Sequence, residues 1–204
     1  MRRVQRSAAT ISTLWSKPLP DGTPFVLSTG VAGAYLYHRS LLGEFVLSSD
    51  TVIPSFTRSA RISHVIQQVP RPQQDRFNAQ GYTIGGMMLF PANKIDGRMT
   101  INGARGCHPR VKDRCDLTLE CIRRFYCGTS SPLNDVLQRY RAFFGLFRTF
   151  GGYVDFFRLK DLVEPDYSGV QFMLPFKGFV AWPLPDSFAS YGPVRRRGGR
   201  IHAV

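Results

Sequence analysis

Helical hydrophobic patterns in the second half of the chain constrain the fold more than any other feature. After Pro109, one face of a predicted helix carries Val111, Cys115, Leu119, Ile122 and Tyr126. A second helix is predicted over 131–150, because Ser131 can cap it, Pro132 suits its first turn and glycines follow at 151 and 152. A third is predicted over 57–68, before Pro70. The fold must therefore bury the apolar faces of three helices.

Short segments rich in aromatic and β-branched residues surround these helices. They predict strands at 24–28, 34–38, 44–48, 82–91, 98–101, 153–159 and 170–176, although 153–163 also fits a helix. We therefore expect a single α+β domain over 14–186, mainly an antiparallel sheet packed against about three helices. A basic disordered lead is expected over 1–13, and an Arg/Gly-rich flexible tail over 187–204.

The charge of the chain is strongly basic, with a net charge of +13 over 204 residues. Much of the excess lies near the ends, at Arg2, Arg3, Arg6, Arg195, Arg196, Arg197 and Arg200. A basic balance favours a phosphate-bearing partner such as nucleic acid or a nucleotide. Arginine far outnumbers lysine, however, and a GC-rich coding sequence produces that bias without selection for binding.

The sequence carries no recognisable signature of a membrane, metal or cofactor site. No apolar run approaches the roughly 18 residues needed to span a bilayer, and no secretory signal is evident, so we expect a cytoplasmic protein. The cysteines Cys107, Cys115, Cys121 and Cys127 lack the short spacing of a zinc knuckle. We expect neither a metal nor a cofactor.

The candidate binding residues are arginines around a glycine-punctuated turn and one arginine in the first third of the chain: Arg39, Arg105, Arg110 and Arg114. On a helical projection Arg110 and Arg114 stand at the edge of the buried arc, so they need an anion or a carboxylate partner. A structural salt bridge is the alternative to an anion pocket. Glu120 and Arg124 have the i,i+4 spacing of a favourable ion pair.

Two functional classes, and a third that involves no ligand, follow from these residues. The first is a binding module for a nucleotide or nucleic acid, in which His38 or His108 adds a hydrogen bond to the arginines. The second is a small enzyme on such a substrate, with His38 or His108 as acid/base and Glu44, Asp50 or Asp113 orienting it. His38 also fits a buried core histidine. The third is a structural partner-binding protein.

Three long motifs carry a family resemblance. They are YTIGGMMLFP at 82–91, MTINGARG at 99–106 and DLTLECIRR at 116–124. With these motifs the chain resembles a family of uncharacterised bacterial proteins known only as a domain of unknown function. The resemblance covers roughly residues 15 to 185 and implies no activity.

Overall fold

The structure is a computed structural model that describes most of the chain. The described residues are 18–25, 27–29, 36–40, 43–51, 62–75, 87–112, 114–180 and 184–190. The basic lead at 1–13 lies outside them, as does most of the tail at 187–204.

Four short strands form an antiparallel sheet at one part of the fold. These are β1 (Leu27–Thr29), β2 (Leu36–Ser40), β3 (Gly43–Thr51) and β4 (Met87–Pro91), in the order β1-β2-β3-β4. Each strand pairs with the strand that follows it in sequence. In the pairing of β2 with β3, Leu36 lies opposite Leu47. The chain thus forms a simple meander before it enters its helical part.

Within the described ranges, six short helices have both ends defined. They are α1 (Ser63–Ile66), α2 (Ile101–Cys107), α3 (Cys115–Tyr126), α4 (Asn134–Arg139), α5 (Arg141–Gly145) and α6 (Phe150–Phe156), with a 3-10 turn at Lys160–Leu162. None of the described helices is long and apolar enough to cross a membrane. The longest, α3, is buried at every position from Cys115 to Ile122.

The predicted fold class, a domain dominated by antiparallel sheet, is wrong. Over the described residues, helical positions outnumber strand positions, and most of the buried side chains belong to the helices and their connections. The predicted strand at 98–101 is absent, because Thr100 caps α2 by accepting a hydrogen bond from the Gly103 N–H at 3.2 Å. A short apolar segment fits both the two-residue repeat of a strand and the 3.6-residue repeat of a helix. Here the cap at Thr100 favours the helix.

The region around Gly151 and Gly152, where a helix was predicted to end and a strand to begin, is also helical. Thr149 accepts the Gly152 N–H at 3.0 Å and begins α6, so the two glycines start a helix instead of ending one. The expected strand at 153–159 is consequently helical over much of its length. The expected helix at 131–150 is divided between α4 and α5, and α6 follows at its end.

Aromatic rings from α5, α6 and the residues that follow each of them form the centre of the core. Phe143, Phe147, Tyr153 and Phe157 are buried, and neighbouring rings lie between 4.9 and 6.4 Å apart. Phe25 joins this cluster from the start of the chain, with its ring edge-on to Phe156 at 4.8 Å. The N-terminal segment is therefore part of the same hydrophobic core as the helices.

Candidate functional site

The histidine and carboxylate candidates of the first third of the chain lie on two neighbouring strands. Arg39 of β2 is the backbone partner of Glu44 on β3, and His38 is the partner of Phe45. Asp50 pairs with Met88 of β4. The antiparallel register thus places Arg39 and Glu44 directly opposite one another in the backbone ladder. Asp113 lies outside the described residues.

Arg105 is a buried residue that joins α2 to α3. Only 1% of it is exposed, and its Nε donates to Thr118 Oγ1 at 3.0 Å. Nη1 donates to Asn102 Oδ1 at 3.4 Å, and the guanidinium carbon lies 5.7 Å from the centre of the Phe90 ring. These contacts link the buried guanidinium to α2, α3 and β4, so Arg105 holds the three elements together.

Arg114 is buried just before α3 and pairs with Asp116. Its Nε donates to Asp116 Oδ1 at 2.9 Å, and its Nη2 contacts Oδ2 of the same carboxylate. The second oxygen also accepts the backbone N–H of Met173 at 2.8 Å. The Asp116 carboxylate therefore fixes the segment around Met173 against the start of α3.

Glu120 is the centre of a second ionic group, one helical turn further along α3. It accepts bidentate hydrogen bonds from Arg123 at 2.8 and 2.9 Å and a third from Arg124 Nε at 2.8 Å. Burial opposes ionisation of this carboxyl, but the two arginines outweigh it and hold its pKa below the ordinary value. The predicted Glu120–Arg124 ion pair is confirmed.

Arg124 is held in place from several sides. Besides Glu120, its Nη1 donates to the Ser130 carbonyl at 3.3 Å, and its guanidinium carbon lies 5.0 Å from the Phe179 ring centre and 5.8 Å from that of Phe176. In the described part of the chain, Nη2 has no hydrogen-bond partner. The side chain is therefore pre-oriented and keeps donors for a ligand.

His108 and Arg110 follow the end of α2. His108 Nδ1 accepts the backbone N–H of Arg110 at 3.2 Å, which places the proton of the neutral ring on Nε2. Partial burial, and then the nearby Arg110 charge, lower the pKa of His108. The Arg110 side chain is exposed, and among the described contacts its guanidinium is in no ion pair or hydrogen bond.

A cleft of about 540 Å³ brings these side chains together. We call it the basic cleft, and its walls include His108, Arg110, Arg124, Ser130, Ser131 and Phe179. None of the described residues lining it is acidic. Arg110 and His108 were predicted from the sequence, whereas Arg124 and the two serines were not selected as ligand residues.

A second cleft of about 240 Å³ adjoins the basic cleft at Arg110, which lines both. Its apolar wall consists of Leu117, Leu174, Pro175, Phe176, Leu184 and Pro185. Polar side chains at Arg114, Lys177, Asp186 and Ser190 complete it. We refer to it below as the second cleft. Of the predicted ligand residues, therefore, Arg110 and Arg114 line clefts, while Arg105 lies in the core.

Cysteine and acidic side chains are not grouped as metal ligands would be within the described ranges. Cys115 and Cys121 are buried, and burial raises the pKa of Cys121 to about 12. Cys107 and Cys127 are exposed and lie at the ends of two different helices.

Comparison with known proteins gives a family but no activity. No curated protein and no solved structure matches the chain significantly. A model of a family of unknown function, DUF6994, matches residues 5–198, which is nearly the whole chain. The expected resemblance to a family of unknown function is thereby confirmed, and the chain belongs to the DUF6994 family.

Proposed function

We propose that this protein binds a phosphate-bearing ligand in the basic cleft. The observation that carries the proposal is that His108, Arg110 and Arg124, with two serines, line one cleft whose described walls hold no carboxylate. Charged N–H groups form the strongest hydrogen bonds to phosphate oxygens. Arg124 is already fixed by Glu120 and Phe179, so a ligand loses little by ordering it.

Binding is favoured over acid–base catalysis by the surroundings of His108. A catalytic histidine commonly donates its second N–H to a carboxylate that orients it. Here Nδ1 instead accepts a backbone N–H, and the described walls of the cleft supply no carboxylate. The Nε2–H is then a hydrogen-bond donor suited to an anion.

The test is calorimetric titration with inorganic pyrophosphate. Replacing Arg110 by alanine should weaken binding about tenfold, the usual effect of losing one hydrogen bond to a charged group. The matched control is Arg141→Ala, which removes one exposed arginine from α5, outside the cleft, and should change affinity less than about twofold. Equal losses in both variants would show that net charge alone attracts the ion.

The pH dependence gives a second test, with sulfate as a probe that does not titrate near neutrality. A bound anion favours protonated His108, so binding takes up a proton and affinity should fall as the pH rises through the pKa of His108 in the complex. His108→Gln should abolish this dependence. His64→Gln, which replaces an exposed histidine away from the cleft, should retain it. Dependence that survives in His108→Gln would rule out the assigned role of His108.

A further inference from the structure

Resting on the proposed function, we infer that the ligand is a mononucleotide whose phosphate occupies the basic cleft and whose nucleoside occupies the second cleft. The two clefts meet at Arg110. The short segment from Leu174 to Val180 contributes to both of them, with Phe176 on one side and Phe179 on the other. A single small molecule that contacts Arg110 can therefore reach both.

Charge determines which part of the ligand lies in which cleft. The second cleft contains Asp186, whose pKa is lowered by hydrogen bonds from Ser190 and then Ser187, so it is ionised near neutrality. Arg114 in this cleft is already paired with Asp116, so Lys177 is the cation that stands against Asp186 beyond Arg110. A carboxylate repels phosphate, whereas the described walls of the basic cleft contain none. The phosphate therefore belongs beside His108 and Arg124, and an uncharged group belongs beyond Arg110.

The walls of the second cleft favour a nucleoside over an acyl chain. Leu117, Leu174 and Leu184 offer apolar surface, but Lys177, Asp186 and Ser190 stand among them. An acyl chain would take these polar groups out of water without pairing them, which is costly. A base and a ribose present apolar faces together with donors and acceptors, so they can cover the leucines and still pair with the polar groups.

The size of the second cleft favours one nucleotide over a nucleic-acid strand. Proteins that hold single strands use a continuous basic groove with successive stacking platforms. Here a cleft of about 240 Å³ lies next to a single basic cleft, and its lining mixes Arg114 and Lys177 with Asp186 and leucine side chains. That arrangement suits a single nucleoside unit.

The experiment compares nucleoside 5′-monophosphates with methyl phosphate, which has the same charged group but no nucleoside. Titrated into the full chain, at least one of the four common nucleotides should bind about tenfold tighter than methyl phosphate, the gain expected for burying one base. Leu174→Ser should remove that preference and leave methyl phosphate binding unchanged. Phe188→Ser replaces an exposed aromatic residue that lies between Asp186 and Ser190 but does not line the cleft, and it should preserve the preference.

A second variant keeps the test valid if Leu174→Ser folds poorly. Ser190→Phe places a ring into the second cleft from its exposed edge and should likewise remove the nucleotide preference. Equal binding of methyl phosphate and every nucleotide would overturn the inference while leaving the proposed function standing. If neither binds, the proposed function itself fails. Tighter binding of decyl phosphate, or of an oligonucleotide, than of every mononucleotide would also overturn the inference.

Discussion

The carboxylate of Asp116 accepts a hydrogen bond from the backbone N–H of Met173 at 2.8 Å, although the two residues are 57 positions apart in sequence. The same carboxylate is the ion-pair partner of Arg114, and both side chains are buried. One acidic residue thus balances a buried cation and attaches the segment that forms a wall of each cleft.

Replacing Asp116 by asparagine should therefore destabilise the protein by about 3 kcal/mol. The amide keeps the shape of the side chain but removes the negative charge beside buried Arg114, and breaking a buried pair leaves its cation undercompensated. Asp166→Asn is the control, because that carboxylate is exposed and bonds only to Ser168 nearby, so the free energy of unfolding should stay close to the wild-type value. Urea unfolding measures both. Similar losses in the two variants would contradict the assigned role of Asp116.

Low pH should reduce the free energy of unfolding, in part because Glu120 becomes protonated. The folded pKa of this carboxyl is below its ordinary value of 4.5, so its contribution to stability is complete above that value and is lost as the pH falls through the folded pKa. Glu120→Gln should therefore lose less unfolding free energy than the wild type as the pH falls below about 5. Glu164→Gln, at an exposed position, should follow the wild-type curve. If the unfolding free energies of the wild type and Glu120→Gln fell in parallel with decreasing pH, this role of Glu120 would be refuted.

Gly152 lets the first turn of α6 pass close to the backbone of the connection from α5. A Cβ atom there would collide with the Phe147 carbonyl oxygen, so Gly152→Ala should cost about 2 kcal/mol. A Cβ at Gly145 meets nothing within 4 Å, and alanine is the better helix former, so Gly145→Ala should be neutral or slightly stabilising. Thermal unfolding of the two variants compares them directly. The prediction fails if Gly152→Ala has the same unfolding temperature as the wild type.

Half-buried Tyr126 and buried Tyr153 should respond differently to loss of the hydroxyl. Tyr126 donates to the Phe144 carbonyl at 2.7 Å, and Tyr126→Phe should cost about 1 kcal/mol. The Tyr153 hydroxyl is buried and has no hydrogen-bond partner in the described structure, so Tyr153→Phe should be neutral or stabilising. Denaturant unfolding distinguishes them. A marked loss in Tyr153→Phe would point to a partner for its hydroxyl, such as a buried water.

The sequence predicted local features well where a helical stripe was long, and poorly where short segments depended on their surroundings. The apolar face of α3 and the Glu120–Arg124 pair follow from helical spacing alone. The Arg114–Asp116 pair does not, because residues two apart do not face each other on a helix. It forms because Arg114 precedes α3 in an extended conformation, which brings its side chain back to Asp116.

The candidate site shows the same division. His108 was predicted from the glycine-punctuated stretch, which the structure shows as helix α2, and Arg110 was predicted from a helical projection. Arg124 and Ser130 line the cleft from the end of α3 and the residues after it, and Phe179 joins them from the segment after Val170, which has little regular structure and follows no periodic pattern. Its position depends on the Met173 contact to Asp116 and on the rings around Arg124, and such long-range contacts have no signature in sequence spacing.

The edge-on contact of Phe25 with Phe156 has a consequence for synthesis of the chain on the ribosome. Phe25 leaves the ribosome long before Phe147 and Phe156, because domains are synthesised from the N-terminus. Its apolar ring must therefore stay exposed, or be shielded by a chaperone, until α6 has emerged. Closure of the aromatic core is consequently a late event in the life of the nascent chain.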